Sequence, residues 1–219
     1  MREPILIINF KTYESGTGKK AGDLAKICGR VAKATGHTII AAAQAADMLR
    51  TSPHIATFAQ HIDPVEQGKN TGFVTTEAVI AAGAKGTLLN HAEHKIPISV
   101  LAATIERCRG RLITVACAAN VEEARAIAKA CSPDYIAIEV PELIGGSRSV
   151  SNASPEVITG TIRAVHSVRK IPIICGAGIS GREDVEAAIR LGSRGVLVAN
   201  YVMSAKDQQK AIQNLANGL

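Results

Sequence analysis

The stretch "IPIICGAGISG", residues 171–181, decides between two folds. Ile171 to Cys175 is an aliphatic run that reads as a strand. Gly176, Gly178 and Gly181 follow in the pattern G-x-G-x-x-G, and a helical stretch runs on to Leu191. The pattern belongs to a dinucleotide site in a doubly wound sheet, or to a phosphate loop at the end of a barrel strand. A dinucleotide site needs an acidic residue about 20 positions on, for the ribose. No Asp or Glu lies between Glu186 and Asp207. The motif also comes late in the chain, not in its first strand–helix unit. The glycines are therefore read as backbone donors to a smaller phosphate ester.

Working outward, short aliphatic runs recur along the chain. They are Ile5–Phe10, Thr38–Ala43, Ile55–Gln60, Gly86–Asn90, Leu112–Cys117, Tyr135–Glu139, Ile171–Cys175 and Val196–Ala199. Amphipathic stretches alternate with them. In Val121–Ala130, Val121, Ala124, Ile127 and Ala128 line one face, and Asn120 with Glu123 forms an N-cap pair. Asp184–Leu191 and Pro155–Val168 have the same period, the latter capped by Ser154 with Pro155 in its first turn. Eight units in 219 residues are about 27 residues each, tight for a (β/α)8 barrel of about 250 residues but workable. No composition break divides the chain, so an α/β fold with one barrel domain over residues 1–219 is expected. A doubly wound sheet is the alternative.

Composition narrows the function. Hydrophobic residues make up 47% of the chain and aromatics 3%, so the core must be Ala, Ile, Leu and Val. The formal charge of +6 is read mainly as solvated helix faces, with steering of an anionic ligand as the alternative. Without a long basic run or interleaved aromatics, nucleic acid is not an expected partner. No run approaches the roughly 20 apolar residues of a membrane span. "ILIINF" is too short for a signal peptide, and Lys11 follows it. Cys28, Cys108, Cys117, Cys131 and Cys175 are odd in number and show no C-x-x-C spacing. They read as buried reduced thiols in a cytoplasmic protein.

A barrel concentrates its chemistry where strands end. Strand 1 ends in "INFKTY", with Asn9 and Lys11 two apart and Lys11 suited to anchor an anion or to snorkel at the rim. Strand 4 ends in "LLNHAEHK". His91 there suits a neutral hydrogen-bond donor to a carbonyl; a His91/His94 metal pair is the weaker alternative, since no third ligand suggests itself. Strand 6 ends in "IAIEVPELIGGS". Glu139 closes an aliphatic strand, an unfavourable place for a carboxylate without purpose, and suits a general base. The loop beyond it, with Leu143 and Ile144 before Gly145-Gly146, reads as a lid. Loops after strands 7 and 8 would form the phosphate cradle.

Together, "NFK", "NHAEHK", "AIEVPELIGG", "CGAGIS" and "LVAN" resemble, in order and spacing, the triosephosphate isomerase family, a TIM-barrel family. "FAQHIDPVEQGKNTG" resembles its short archaeal branch. The resemblance covers nearly the whole chain. It implies interconversion of dihydroxyacetone phosphate and D-glyceraldehyde 3-phosphate through an enediolate, in glycolysis and gluconeogenesis, with no cofactor and no metal. It also implies Glu139 as the base, His91 as the group polarising the carbonyl, and Lys11 stabilising the enediolate and the phosphate. Asn9 would orient substrate, and Glu93 would order the site around Lys11. Gly178, Ala199 and Asn200 would hold the phosphate by backbone N–H, joined by Ile144 on lid closure. Self-association as a homodimer or homotetramer follows from the same likeness, the segment His61–Phe73 reaching into a neighbour.

Four positions depart from the family's usual pattern: Val140 after the base, Gly145-Gly146-Ser147 at the second lid hinge, Ala92 where Ser is frequent, and Asn200 in place of a smaller residue. They bear on rate and lid kinetics. Two other readings compete. A Schiff-base aldolase would want its Lys at the end of a later strand than Lys11. A barrel that only binds metabolites would not need Glu139 and His91.

Overall fold

The computed structural model describes residues 3–139 and 155–219. Eight parallel strands close into a barrel in chain order. They are β1 (Ile5–Asn9), β2 (Thr38–Ala43), β3 (Ala56–Ala59), β4 (Gly86–Leu89), β5 (Ile113–Ala118), β6 (Tyr135–Ile138), β7 (Ile173–Cys175) and β8 (Gly195–Val198). Each strand read from the sequence is present within two residues of its expected ends. β7 starts after Pro172, which has no N–H to give the ladder, although its carbonyl still accepts from Ile136 N at 3.0 Å.

Around the barrel run α1 (Lys19–Thr35), α2 (Met48–Thr51), α3 (Thr76–Ala81), α4 (Ile98–Cys108), α5 (Val121–Ala130), α6 (Pro155–His166), α7 (Arg182–Arg190), α8 (Asn200–Met203) and α9 (Gln208–Ala216). Helix α5 has the expected bounds. Helix α7 begins at Arg182, where the helical stretch read after the glycines begins, and the Asp184 carboxylate reaches back to accept from Ser180 N and Oγ at 2.8 and 2.7 Å. That closes the first turn ahead of Asp184. Pro155 does open α6, while the expected cap Ser154 lies outside the described residues.

Side-chain alternation divides the core in two. Ile5, Ile7, Ile40, Ala42, Phe58, Leu88, Val115, Cys117, Tyr135, Ala137, Ile174 and Leu197 fill the barrel interior. Their neighbours along the strands, such as Leu6, Ile8, Ile39 and Ala41, pack outward against the helices. Strands buried on both faces explain the unbroken aliphatic runs. Each buried Val, Leu or Ile contributes about 1.5–3 kcal/mol relative to exposure.

The ring closes where β8 pairs with β1, Ile5 opposite Gly195. Gly195 has φ +146°, and a Cβ there would stand 2.2 Å from the Ile5 carbonyl oxygen. The seam therefore requires a glycine. Helix α1 packs on α9 across it.

Candidate active site

The inward side of each strand continues into the barrel mouth. Asn9 follows Ile5 and Ile7 in β1, and Glu139 follows Tyr135 and Ala137 in β6, so period 2 aims both inward. His91 should by that rule face the helices, since Leu88 points in. Asn90 breaks the alternation with φ 58° and turns His91 to the mouth. One cavity of about 300 Å³ is lined by Asn9, Lys11, His91, Glu93, Glu139, Gly178, Ala199 and Asn200. These are all the residues expected from the sequence except Ile144, which lies outside the described residues, as do Val140 and Gly145-Gly146-Ser147.

Glu139 is only 2% exposed and His91 8%. The Glu93 backbone N–H donates to His91 Nδ1 at 3.1 Å. An amide can only donate, so Nδ1 is the acceptor and Nε2 carries the proton of a neutral ring. Nε2 lies 3.1 Å from Glu139 Oε1. The other carboxylate oxygen accepts a longer bond, 3.4 Å, from Ala92 N. Backbone thus supplies a contact where a Ser hydroxyl is common. Gly176 flanks the stem of Glu139: a Cβ there would stand 2.7 Å from Glu139 Cγ.

Lys11 Nζ pairs with Glu93 Oε1 at 2.6 Å. The Lys11 backbone takes φ 45°, a left-handed conformation that neighbours must hold in place. Asn9 Oδ1 accepts from Lys11 N at 3.0 Å, and Gln60 Nε2 donates to Lys11 O at 3.0 Å. Gln60 went unremarked in the sequence, although it ends the third strand run, a position a barrel reserves for function.

Opposite, Gly178 takes φ 65°, and Ala199 caps α8. First-turn N–H groups of a helix lack partners within it, which leaves the Asn200 amide available to an anion. The Asn200 side chain is engaged elsewhere, its Oδ1 accepting from Ser204 Oγ at 2.7 Å and Tyr13 Oη at 3.5 Å.

Two residues read from the sequence in other roles also lie beside the site. Cys117 lies in the barrel beside Glu139; burial, then the adjacent Glu139 carboxylate, push its thiol far up from its ordinary value. Glu123 was read only as a cap partner. It does belong to the cap, Asn120 Oδ1 accepting from Glu123 N at 2.8 Å, but its carboxylate also reaches Asn90 and Lys95. Burial alone would raise that carboxyl, yet Lys95, Ala119 N–H and Asn90 outweigh it and hold it below its ordinary value. The His94 ring stacks on that of His61, centroids 4.3 Å apart. Among the described residues, no group of three or more His, Cys, Asp or Glu side chains comes together as a metal site.

The chain as a whole has counterparts among known proteins. The triosephosphate isomerase family model aligns with residues 4–215. The chain belongs to the triosephosphate isomerase family. It is 44% identical to the triosephosphate isomerase of Methanothermus fervidus, over 98% of each chain. It is 43% identical to that of Methanocaldococcus jannaschii, over 96% of this chain and 98% of the relative. The likeness of "FAQHIDPVEQGKNTG" to the archaeal branch of the family agrees with both. The crystal structure of triosephosphate isomerase from Bartonella henselae superposes with a TM-score of 0.75, covering 96% of this chain and 98% of that one. At 17% identity that likeness speaks to the barrel alone. The family's reaction, aldose–ketose isomerisation of a triose phosphate, makes the chain an isomerase.

Proposed function

We propose that Glu139, His91 and Lys11 carry the interconversion of dihydroxyacetone phosphate and D-glyceraldehyde 3-phosphate. The observation that carries this is the Glu139–His91 pair, with the His91 tautomer set by Glu93 N–H. A Glu base beside a neutral His is the known pattern of this family. Glu139 takes the proton from the carbon next to the carbonyl and returns it to the neighbouring carbon. For this, its hydrogen bond to His91 gives way, and the Nε2 proton turns to the substrate oxygen. Lys11 exchanges Glu93 for the enediolate and phosphate charge. Asn9 orients the substrate through its hold on Lys11. Gly178, Ala199 and Asn200 supply backbone donors to the phosphate, with Ile144 reaching it from the lid. The reaction needs no cofactor and no metal.

The deciding experiment is a coupled assay of glyceraldehyde 3-phosphate conversion. Glu139→Gln is expected to lose several orders of magnitude in kcat, since it removes the proton acceptor. His91→Gln is expected to lose less, about 100-fold or more. Wild-type activity retained by Glu139→Gln would overturn the assignment.

The whole chain, residues 1–219, acts as one barrel domain in a cytoplasmic homodimer or homotetramer, with neither nucleic acid nor membrane as partner. Five buried free thiols favour a reducing compartment. No helix among the described residues is long and apolar enough to cross a membrane. A second cavity of about 300 Å³, lined by Lys11, Thr12, Gln44, Gln60, His61 and His94, opens beside the first. It is the proposed seat for the segment 61–73 of another copy, whose Phe73 is 51% exposed.

A further inference from the structure

We infer that Asn90 and Glu123 are positioning residues, forming a clamp that sets His91 and Glu93 over the barrel mouth. The inference rests on the reading of His91 as the group that polarises the carbonyl.

The segment from Asn90 to Ile96 carries three groups of the site: the His91 ring, the Glu93 carboxylate on Lys11, and the Ala92 N–H on Glu139. It has no regular structure of its own beyond a turn at His91–His94, where His94 N bonds His91 O at 2.8 Å. Its two ends are tied together by the Asn90 side chain, whose Oδ1 accepts from Ile96 N at 3.0 Å. The same amide donates to Cys117 O and to Glu123 Oε1, both at 2.9 Å. Glu123 takes Lys95 Nζ at 2.7 and 2.9 Å and Ala119 N at 2.7 Å. One carboxylate at the start of α5 thus grips both ends of the segment and the end of β5.

Asn90 is 4% exposed, and every polar atom of its side chain is engaged in these bonds. The Lys95–Glu123 pair is half-exposed, with side chains 39% and 28% accessible. Such a pair contributes little to stability on its own. Its value lies in where it holds the chain. A rotation at Asn90 would carry His91 Nε2 away from the substrate oxygen, and misplacement by an ångström is costly in a proton-transfer site.

The competing explanation is that Asn90 is present only because it tolerates φ 58°. Asn90→Gly separates the two, since glycine adopts that backbone freely and removes every side-chain bond. The expected result is a fall in kcat of at least tenfold with KM within threefold of wild type, together with displaced 15N resonances of the His91 imidazole. Glu123→Ala is expected to act in the same direction, with partial recovery in Glu123→Gln, whose amide oxygen still accepts from Asn90 or Ala119. Wild-type kcat in folded Asn90→Gly and Glu123→Ala would overturn the clamp. So would a lowered kcat with unmoved His91 resonances. Full activity in His91→Gln would instead sink the underlying reading of His91, while the resonances still report whether the clamp holds the ring.

Discussion

Glu139, the proposed base, is held on several sides by the barrel. The strand delivers it inward, the Cys117 thiol lies beside it, and His91 and Ala92 hold its two oxygens. The fourth side is Gly176, and nothing larger fits there without pushing on the Glu139 stem. The positive-φ demand at Gly178 is absent at Gly176, so Gly176→Ala tests packing against the base rather than backbone strain. It is expected to lower kcat about 10- to 100-fold by shifting the carboxylate, with a far-UV circular dichroism spectrum like that of the wild type. An unchanged kcat would mean that the carboxylate has more freedom than its surroundings indicate.

At the scale of elements, the chain is legible where periodicity rules and obscure where a dihedral or a distant partner rules. The eight aliphatic runs give the strands because both faces of each are buried. The glycines at 176 and 178 are readable as a turn after a strand, but the packing of Gly176 against the Glu139 stem is not. The orientation of His91 is different: alternation from Leu88 turns it away from the mouth, and only the left-handed backbone at Asn90 reverses that. Gln60 and Glu123 work through hydrogen bonds to residues 51 and 33 positions away, which no local pattern records. The seam between β1 and β8 offers the element-scale test. Gly195→Ala combines overpacking of about 1–3 kcal/mol with backbone strain of similar size. A loss of about 3 kcal/mol in urea-unfolding free energy is expected, and a loss below about 1 kcal/mol would show that the seam relaxes easily.

For the whole molecule, the surface beside the mouth matters as much as the mouth. Lys11 and His91 border both cavities, one proposed for the triose phosphate and the other for a second copy of the chain. Assembly and catalysis then share residues. Specific activity is expected to fall on dilution over the same concentration range in which sedimentation velocity records dissociation. Activity that stays constant through that range would separate the two and return the second cavity to solvent.

The pairing of the first strand with the last has a consequence for how the chain is made. Ile5–Asn9 is made before the other seven strands, and its partner Gly195–Val198 follows only about 190 residues later. Through most of synthesis, β1 therefore has a bare edge on the side that β8 will cover. An unpaired parallel edge invites wrong neighbours, and the penalty of joining distant segments slows closure. On a nascent chain that edge of β1 is covered only once β8 has been made.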